Sequence, residues 1–109
     1  MFDVKILSEA FNFLENIEEK EREKIYYNIK KAQLQNDKDL FKKLINTDIW
    51  EFRTLFNNKQ FRLLAFWDKR DNQNTLVICS NGFIKKTDKT PKSEIEKAEK
   101  IKKLYFEKF

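Results

Sequence analysis

The sequence predicts an α+β fold in a single domain over residues 1–109: an antiparallel sheet, built from a short N-terminal strand and a three-stranded meander, packed against N-terminal helices and followed by a C-terminal helix. Three observations carry that expectation. Residues 49–56 change to a period of two and residues 60–67 are apolar on both faces, both strand signals, while the N-terminal and C-terminal segments space their apolar residues as helices do. One glycine and one proline in 109 residues leave little room for linkers or long irregular loops.

In chain order, Phe2, Val4 and Ile6 alternate with Asp3, Lys5 and Leu7, a short first strand. Ser8 is placed to cap the next helix, whose apolar face holds Phe11, Leu14 and Ile17, with Phe13 beside it. Every residue from 18 to 24 is charged, and Ile25, Ile29 and Ala32 then resume a helical period. The apolar stripe loses its phase at 17–19, which favours two helices meeting there over one long helix with a solvated waist. Asn36 and Asp37 make a polar break before Leu40, Phe41 and Leu44, still at a period near four, and before the turn-prone Asn46, Thr47 and Asp48.

Trp50, Phe52, Thr54 and Phe56 fall on one strand face, and Ile49, Glu51, Arg53 and Leu55 on the other. Asn57, Asn58 and Lys59 suit a hairpin connection. Residues 60–67 are apolar on both faces apart from Arg62, the texture of a central strand. A polar loop at 68–74 and a strand at 75–84 complete the meander. Thr90 as capping hydroxyl and Pro91 at the first helical position start the last helix, which turns Ile95, Ala98, Ile101, Leu104 and Tyr105 toward the sheet and lysines toward solvent.

Eleven Phe, two Trp and three Tyr supply much of the core, since aromatic side chains bury the most area each. The absence of histidine excludes a His-based triad, a paired-histidine ribonuclease mechanism and a His-containing zinc site, and neither metal nor cofactor is expected. One cysteine, Cys79, allows no internal disulfide and no CxxC site; it reads as a small buried strand residue and fits a reducing cytoplasm. No apolar stretch approaches the ~18 residues of a membrane span. Residues 1–4 lack the basic start and apolar core of a signal peptide, so a cytoplasmic protein is expected. Residues 1–48 carry nine Lys/Arg against ten Asp/Glu, and residues 49–109 carry fourteen against eight. The whole positive excess therefore lies in the second half, a bias that points to a polyanionic partner such as nucleic acid.

The only glycine and the only proline bracket a cationic corner, residues 81–91, that holds Lys85, Lys86 and Lys89. Arg62 is the one charge in an apolar strand and must be paired, at a strand end, or in a solvated cleft. Pairing with Glu51 on the neighbouring strand and a role in a site both satisfy that requirement. Hairpin pairing brings Arg53 near the 60–62 region, and a bulge at Gly82 would redirect Lys85 and Lys86. Convergence of Arg53, Arg62, Lys85 and Lys86 at one sheet end would bind phosphate and stabilise a pentacoordinate phosphoryl transition state. Crowded cations also favour the neutral form of one of their number, a route to a base. RNA suits such a site because its own 2′-hydroxyl supplies the nucleophile. Lys89 and Lys92, on either side of Thr90 and Pro91, are expected RNA contacts. Trp50, Phe66, Trp67 and Phe83 have faces that can stack on bases, but alternation favours burial for them, as it favours packing for Tyr105.

The strand Trp50, Glu51, Phe52, Arg53, the strand 61–66 (FRLLAF) and the turn 82–91 (GFIKKTDKTP) with Glu94, Ile95 and Ala98 after it resemble, in order and spacing, the RelE/HigB superfamily of toxins, nearest to its subgroup of phage-derived host-killing proteins. The likeness spans nearly the whole chain. It implies the toxin of a type II toxin–antitoxin system, an endoribonuclease that cleaves translated mRNA in the ribosomal A site, with a cognate antitoxin, usually of helix-turn-helix type, as partner. By motif position it implies that Arg62 acts on the scissile phosphate, with Lys85, Lys86 and Arg53 as the other catalytic cations. Some relatives use a histidine or a late tyrosine as acid or base; this chain has no histidine and no tyrosine beside the lysine pair, which leaves the proton-transfer residue open. A non-enzymatic toxin of the same fold that inhibits a protein such as DNA gyrase, and a basic RNA-binding module without activity, are the competing readings.

Overall fold

Alternation and helical spacing produce five strands and three helices in a computed structural model that describes residues 2–71 and 75–109. Their order is β1 (Asp3–Ile6), α1 (Ser8–Glu15), α2 (Glu19–Leu34), β2 (Phe41–Lys43), β3 (Trp50–Phe56), β4 (Lys59–Asp68), β5 (Leu76–Lys85) and α3 (Lys92–Lys108). The architecture is α+β, with one sheet in the order β1-β5-β4-β3-β2. None of these helices is long and apolar enough to cross a membrane.

The β3–β4 hairpin follows from its turn. Asn57 and Asn58 sit at φ 54° and 60°, the left-handed pair of a two-residue turn whose twist matches the strands, and asparagine tolerates that conformation better than other side chains. Phe56 then pairs with Lys59, Arg53 with Arg62 and Trp50 with Ala65. Because β4 lies between two neighbours, its alternation feeds two cores. Phe61, Leu63 and Ala65 face α1 and α2 with Leu14, Ile25 and Ile29, whereas Leu64 and Phe66 face α3 with Ile78, Ala98 and Tyr105.

Four expectations are corrected. The sheet is mixed rather than antiparallel, because β1 runs parallel to β5, Val4 opposite Val77; alternation marks a strand but carries no direction. Leu40, Phe41 and Leu44 do not continue a helical pattern. They flank and form the edge strand β2, where the Phe41 ring stacks 4.3 Å from that of Phe52, and cross-strand packing overrides a short spacing that fits either period. Ser8 does not cap α1: Leu7 holds the cap position, without a side-chain bond. Pro91 is the cap of α3 rather than its first residue, and Thr90 does not cap it, since its hydroxyl is engaged elsewhere.

The two N-terminal helices are separate, as their phase break predicts, but the charged run 18–24, which caps and opens α2, is not all solvated. Glu21 is 1% exposed and accepts from the Glu18 amide at 3.1 Å and from Lys59 Nζ at 2.9 Å, tying the start of α2 to the hairpin. Arg22 Nη1 closes the end of α1 by donating to the Leu14 carbonyl. Trp50 and Trp67 are half-buried against the first core; Phe66 and Phe83 are buried in the second, as is Tyr105. Cys79 is buried, and burial pushes its thiol up to about 12. Of the polar loop expected at 68–74, Asp68 ends β4 and residues 72–74 lie outside the described residues, as does Met1.

The β5 bulge falls at Ser80 rather than at Gly82: Leu64 pairs with Asn81 and Ala65 with Cys79, leaving Ser80 without an opposite residue. Gly82 has no positive φ. Its hydrogen is required by close packing instead, because a Cβ there would meet the Phe13 ring of α1 and stand 2.7 Å from Leu63 Cδ2. Gly82→Ala therefore requires the Phe13 and Leu63 side chains to shift and should cost about 1–3 kcal/mol in urea unfolding; an unchanged midpoint contradicts that packing.

At the other end of the sheet, Asp68 accepts from Arg70 Nη2 at 2.8 Å and from the buried Tyr105 hydroxyl at 2.7 Å, fixing α3 to β4. These bonds, Arg70 first, hold the Asp68 carboxyl well below its ordinary value against the opposing effect of burial. A carboxyl depressed in the folded state contributes stability above its unfolded pKa, near ~3.9, and loses it as pH falls below that. Stability measured between about pH 5 and pH 2 should therefore fall less steeply in Asp68→Asn than in wild type; parallel acid limbs would show that this carboxyl is not the group responsible.

Candidate functional site

Antiparallel register places Arg53 directly opposite Arg62. Facing like charges repel, so a compensating group is required. It is Glu51, two residues before Arg53 and thus on the same face. Its Oε1 lies 3.6 Å from Arg53 Nε and 3.6 Å from Arg62 Nε. Its other oxygen accepts from the Thr90 hydroxyl at 3.0 Å, which draws the segment between β5 and α3 onto the sheet.

The same face continues across β4 and β5 in three rows. Glu51, Leu64 and Asn81 are neighbours, then Arg53, Arg62 and Phe83, then Leu55, Gln60 and Lys85. Gln60 Oε1 accepts from Arg62 Nη2 at 2.9 Å, so the residue beside Lys85 is bonded to the buried arginine. Asn81 Nδ2 donates to the Glu94 carboxylate at 3.1 Å and to the Glu94 carbonyl at 3.2 Å, a second tether from the sheet to the first turn of α3.

Arg62 is only 4% exposed. Besides Gln60 it donates to the Phe61 carbonyl at 3.1 Å, while its buried Nε has no hydrogen-bond partner. Burial pushes its guanidinium below the ordinary value; Glu51 opposes that shift and Arg53 adds to it. A guanidinium nevertheless stays charged in proteins. Arg62 therefore forms the floor of the site, a fixed positive charge with one donor to spare. Arg53 is half-exposed above it.

The structure thus places Arg53, Arg62 and Lys85 on one sheet face and shows the expected pairing of Arg62 with Glu51. Lys85 is half-buried at the end of β5 and Lys86 follows it, exposed. Lys89 and Lys92 are exposed on either side of Thr90 and Pro91. None of these four lysines takes part in an ion pair among the described residues. Sequence reasoning missed the part of Thr90, whose bond to Glu51 spans 39 positions and leaves no local signal. It also missed a cleft of about 540 Å³ beside the part of β3 that extends past β2, lined by Lys24 and Lys31 of α2 together with Arg53 and Arg62. Their helical spacing with Asn28 was a readable signal.

The family model described as phage-derived protein Gp49-like (DUF891) matches residues 12–103, which include α2, the whole arginine hairpin and most of α3. No curated protein matches the chain.

Removing one partner of a buried ion pair strands the other. Arg62→Met should cost about 3 kcal/mol in urea unfolding, and Glu51→Met/Arg62→Met should recover much of that loss. A double variant as unstable as the sum of the two single ones would contradict the pairing.

Proposed function

Because the chain belongs to the phage-derived Gp49-like family, we propose that it is the toxin of a type II toxin–antitoxin system, of RelE/HigB-like fold, and that it cleaves mRNA on the ribosome. The observation that carries the reading is the Arg53–Arg62 pair held by Glu51, with Lys85 on the same face and Lys86 next in the chain. Such a face suits an anion with several oxygens. Arg53, Lys85 and Lys86 meet the scissile phosphate, and Arg62 supplies fixed charge beneath it. The 2′-hydroxyl oxygen attacks the adjacent phosphorus, the bond to the 5′-oxygen breaks, and the ends formed are a 2′,3′-cyclic phosphate and a 5′-hydroxyl. The proton of the 2′-hydroxyl leaves and the 5′-oxygen gains one, with no net change. Preorganised positive charge favours the pentacoordinate transition state over the singly charged ground state.

Lys89 and Lys92 flank the Thr90 tether and take neighbouring phosphates. The partner that silences the toxin is a cognate antitoxin, of helix-turn-helix type by resemblance, and both act in the cytoplasm. Inhibition of a protein target such as DNA gyrase would need no grouped cations on one sheet face.

Primer extension on mRNA from cells expressing the chain tests the reading. Wild type should give cleavage that disappears when translation initiation is blocked. Arg53→Gln/Lys85→Gln/Lys86→Gln, which leaves the buried Arg62–Glu51 pair intact, should lower cleavage by at least about 100-fold. Growth arrest by the triple variant at wild-type strength, or wild-type arrest without mRNA cleavage, would refute the assignment.

A further inference from the structure

Beyond residues 50–52, where β2 pairs with it, β3 leads from the arginine pair to α2. Lys24, Tyr27, Asn28 and Lys31 follow one another at helical spacing and so share one face of that helix. Lys24, Asn28 and Lys31 line the cleft that also holds Arg53 and Arg62, and Asp39 is the one carboxylate in its lining. Tyr27 is an aromatic side chain left 59% exposed. The Lys24 ammonium lies 4.9 Å from its ring centroid. Two contacts fix this stripe relative to the arginines: a buried bond in which Asn28 Nδ2 donates to Thr54 Oγ1 of β3 at 3.0 Å, and the half-buried pair of Glu21 with Lys59 of the hairpin.

An exposed ring on the helix face of two lysines that line the cleft of Arg53 and Arg62 has the composition of a single-strand track, in which cations follow the backbone and a ring receives a base. We propose that the Lys24–Tyr27–Lys31 stripe binds the single-stranded RNA flanking the scissile phosphate, the lysines taking phosphates and Tyr27 stacking on a base. This inference rests on the endoribonuclease reading and adds to it a binding surface on α2, on the side of the sheet away from α3. An acidic protein partner would use the lysines but has no need of the ring.

The test is fluorescence anisotropy of a short, uncleavable 2′-O-methyl RNA against the full chain over a series of KCl concentrations, with circular dichroism to verify folding. These side chains are at the surface, so the variants should fold as wild type does. Lys24→Gln/Lys31→Gln removes two phosphate contacts and should make the slope of log affinity against log salt less steep by about 1.4. Tyr27→Ala should weaken binding about tenfold and Tyr27→Phe should not weaken it. Binding by the variants equal to wild type would overturn the inference and leave the stripe to a protein partner, and no RNA binding by wild type would overturn it as well. Translation-dependent cleavage, measured separately, decides the parent reading: wild-type cleavage together with unaffected variants removes the track alone, whereas absent cleavage removes the reading beneath it.

Discussion

The Glu51 carboxylate is the contact on which the site depends. Hairpin pairing sets two guanidiniums opposite each other, and one carboxylate within 3.6 Å of both neutralises part of that repulsion. The same carboxylate takes the Thr90 hydroxyl, so the chain leaving β5 is drawn over the sheet before α3 begins. One side chain thereby offsets the repulsion that the hairpin register creates and ties down the segment that leads into the last helix. Buried ion pairs contribute little net stability. What this one provides is placement: three cations held on one face with a net positive charge remaining.

The rest of the fold holds that face still. α1 presses on Gly82 through Phe13, α2 is fastened to β3 and the hairpin by Asn28 and Glu21, and α3 is fastened at one end by Asn81–Glu94 and at the other by Asp68–Tyr105. These contacts lie on both sides of the sheet and at both of its ends. Arg62, which has almost no exposure, is consequently held in a single geometry.

Much of the fold was legible because periodicity is local. The meander, the split between α1 and α2, the hairpin at Asn57–Asn58 and the central position of β4 all follow from spacing and turn chemistry. The parallel pairing of β1 with β5 was not legible, since direction depends on where the chain returns. β2 was read in the wrong period because Leu40, Phe41 and Leu44 are too few to distinguish a strand from a helix. Gly82 was noticed for the wrong reason: its backbone conformation is ordinary, and the demand for a missing Cβ comes from a helix about 70 residues earlier. In the site, Arg53, Arg62 and Lys85 were identifiable from strand alternation. The exchange of Thr90 from helix cap to Glu51 ligand depends on a tertiary contact with no trace in neighbouring residues, whereas the spacing of Lys24, Asn28 and Lys31 shows their shared helix face and only their approach to the arginines is tertiary.

The proposed reaction uses the substrate's own 2′-oxygen as nucleophile, and that oxygen can be removed. In a translation reaction with purified protein and an mRNA carrying a single 2′-deoxy nucleotide at a mapped cleavage position, cutting should vanish at that position and persist at unmodified ones. Undiminished cutting at the deoxy position would contradict the mechanism.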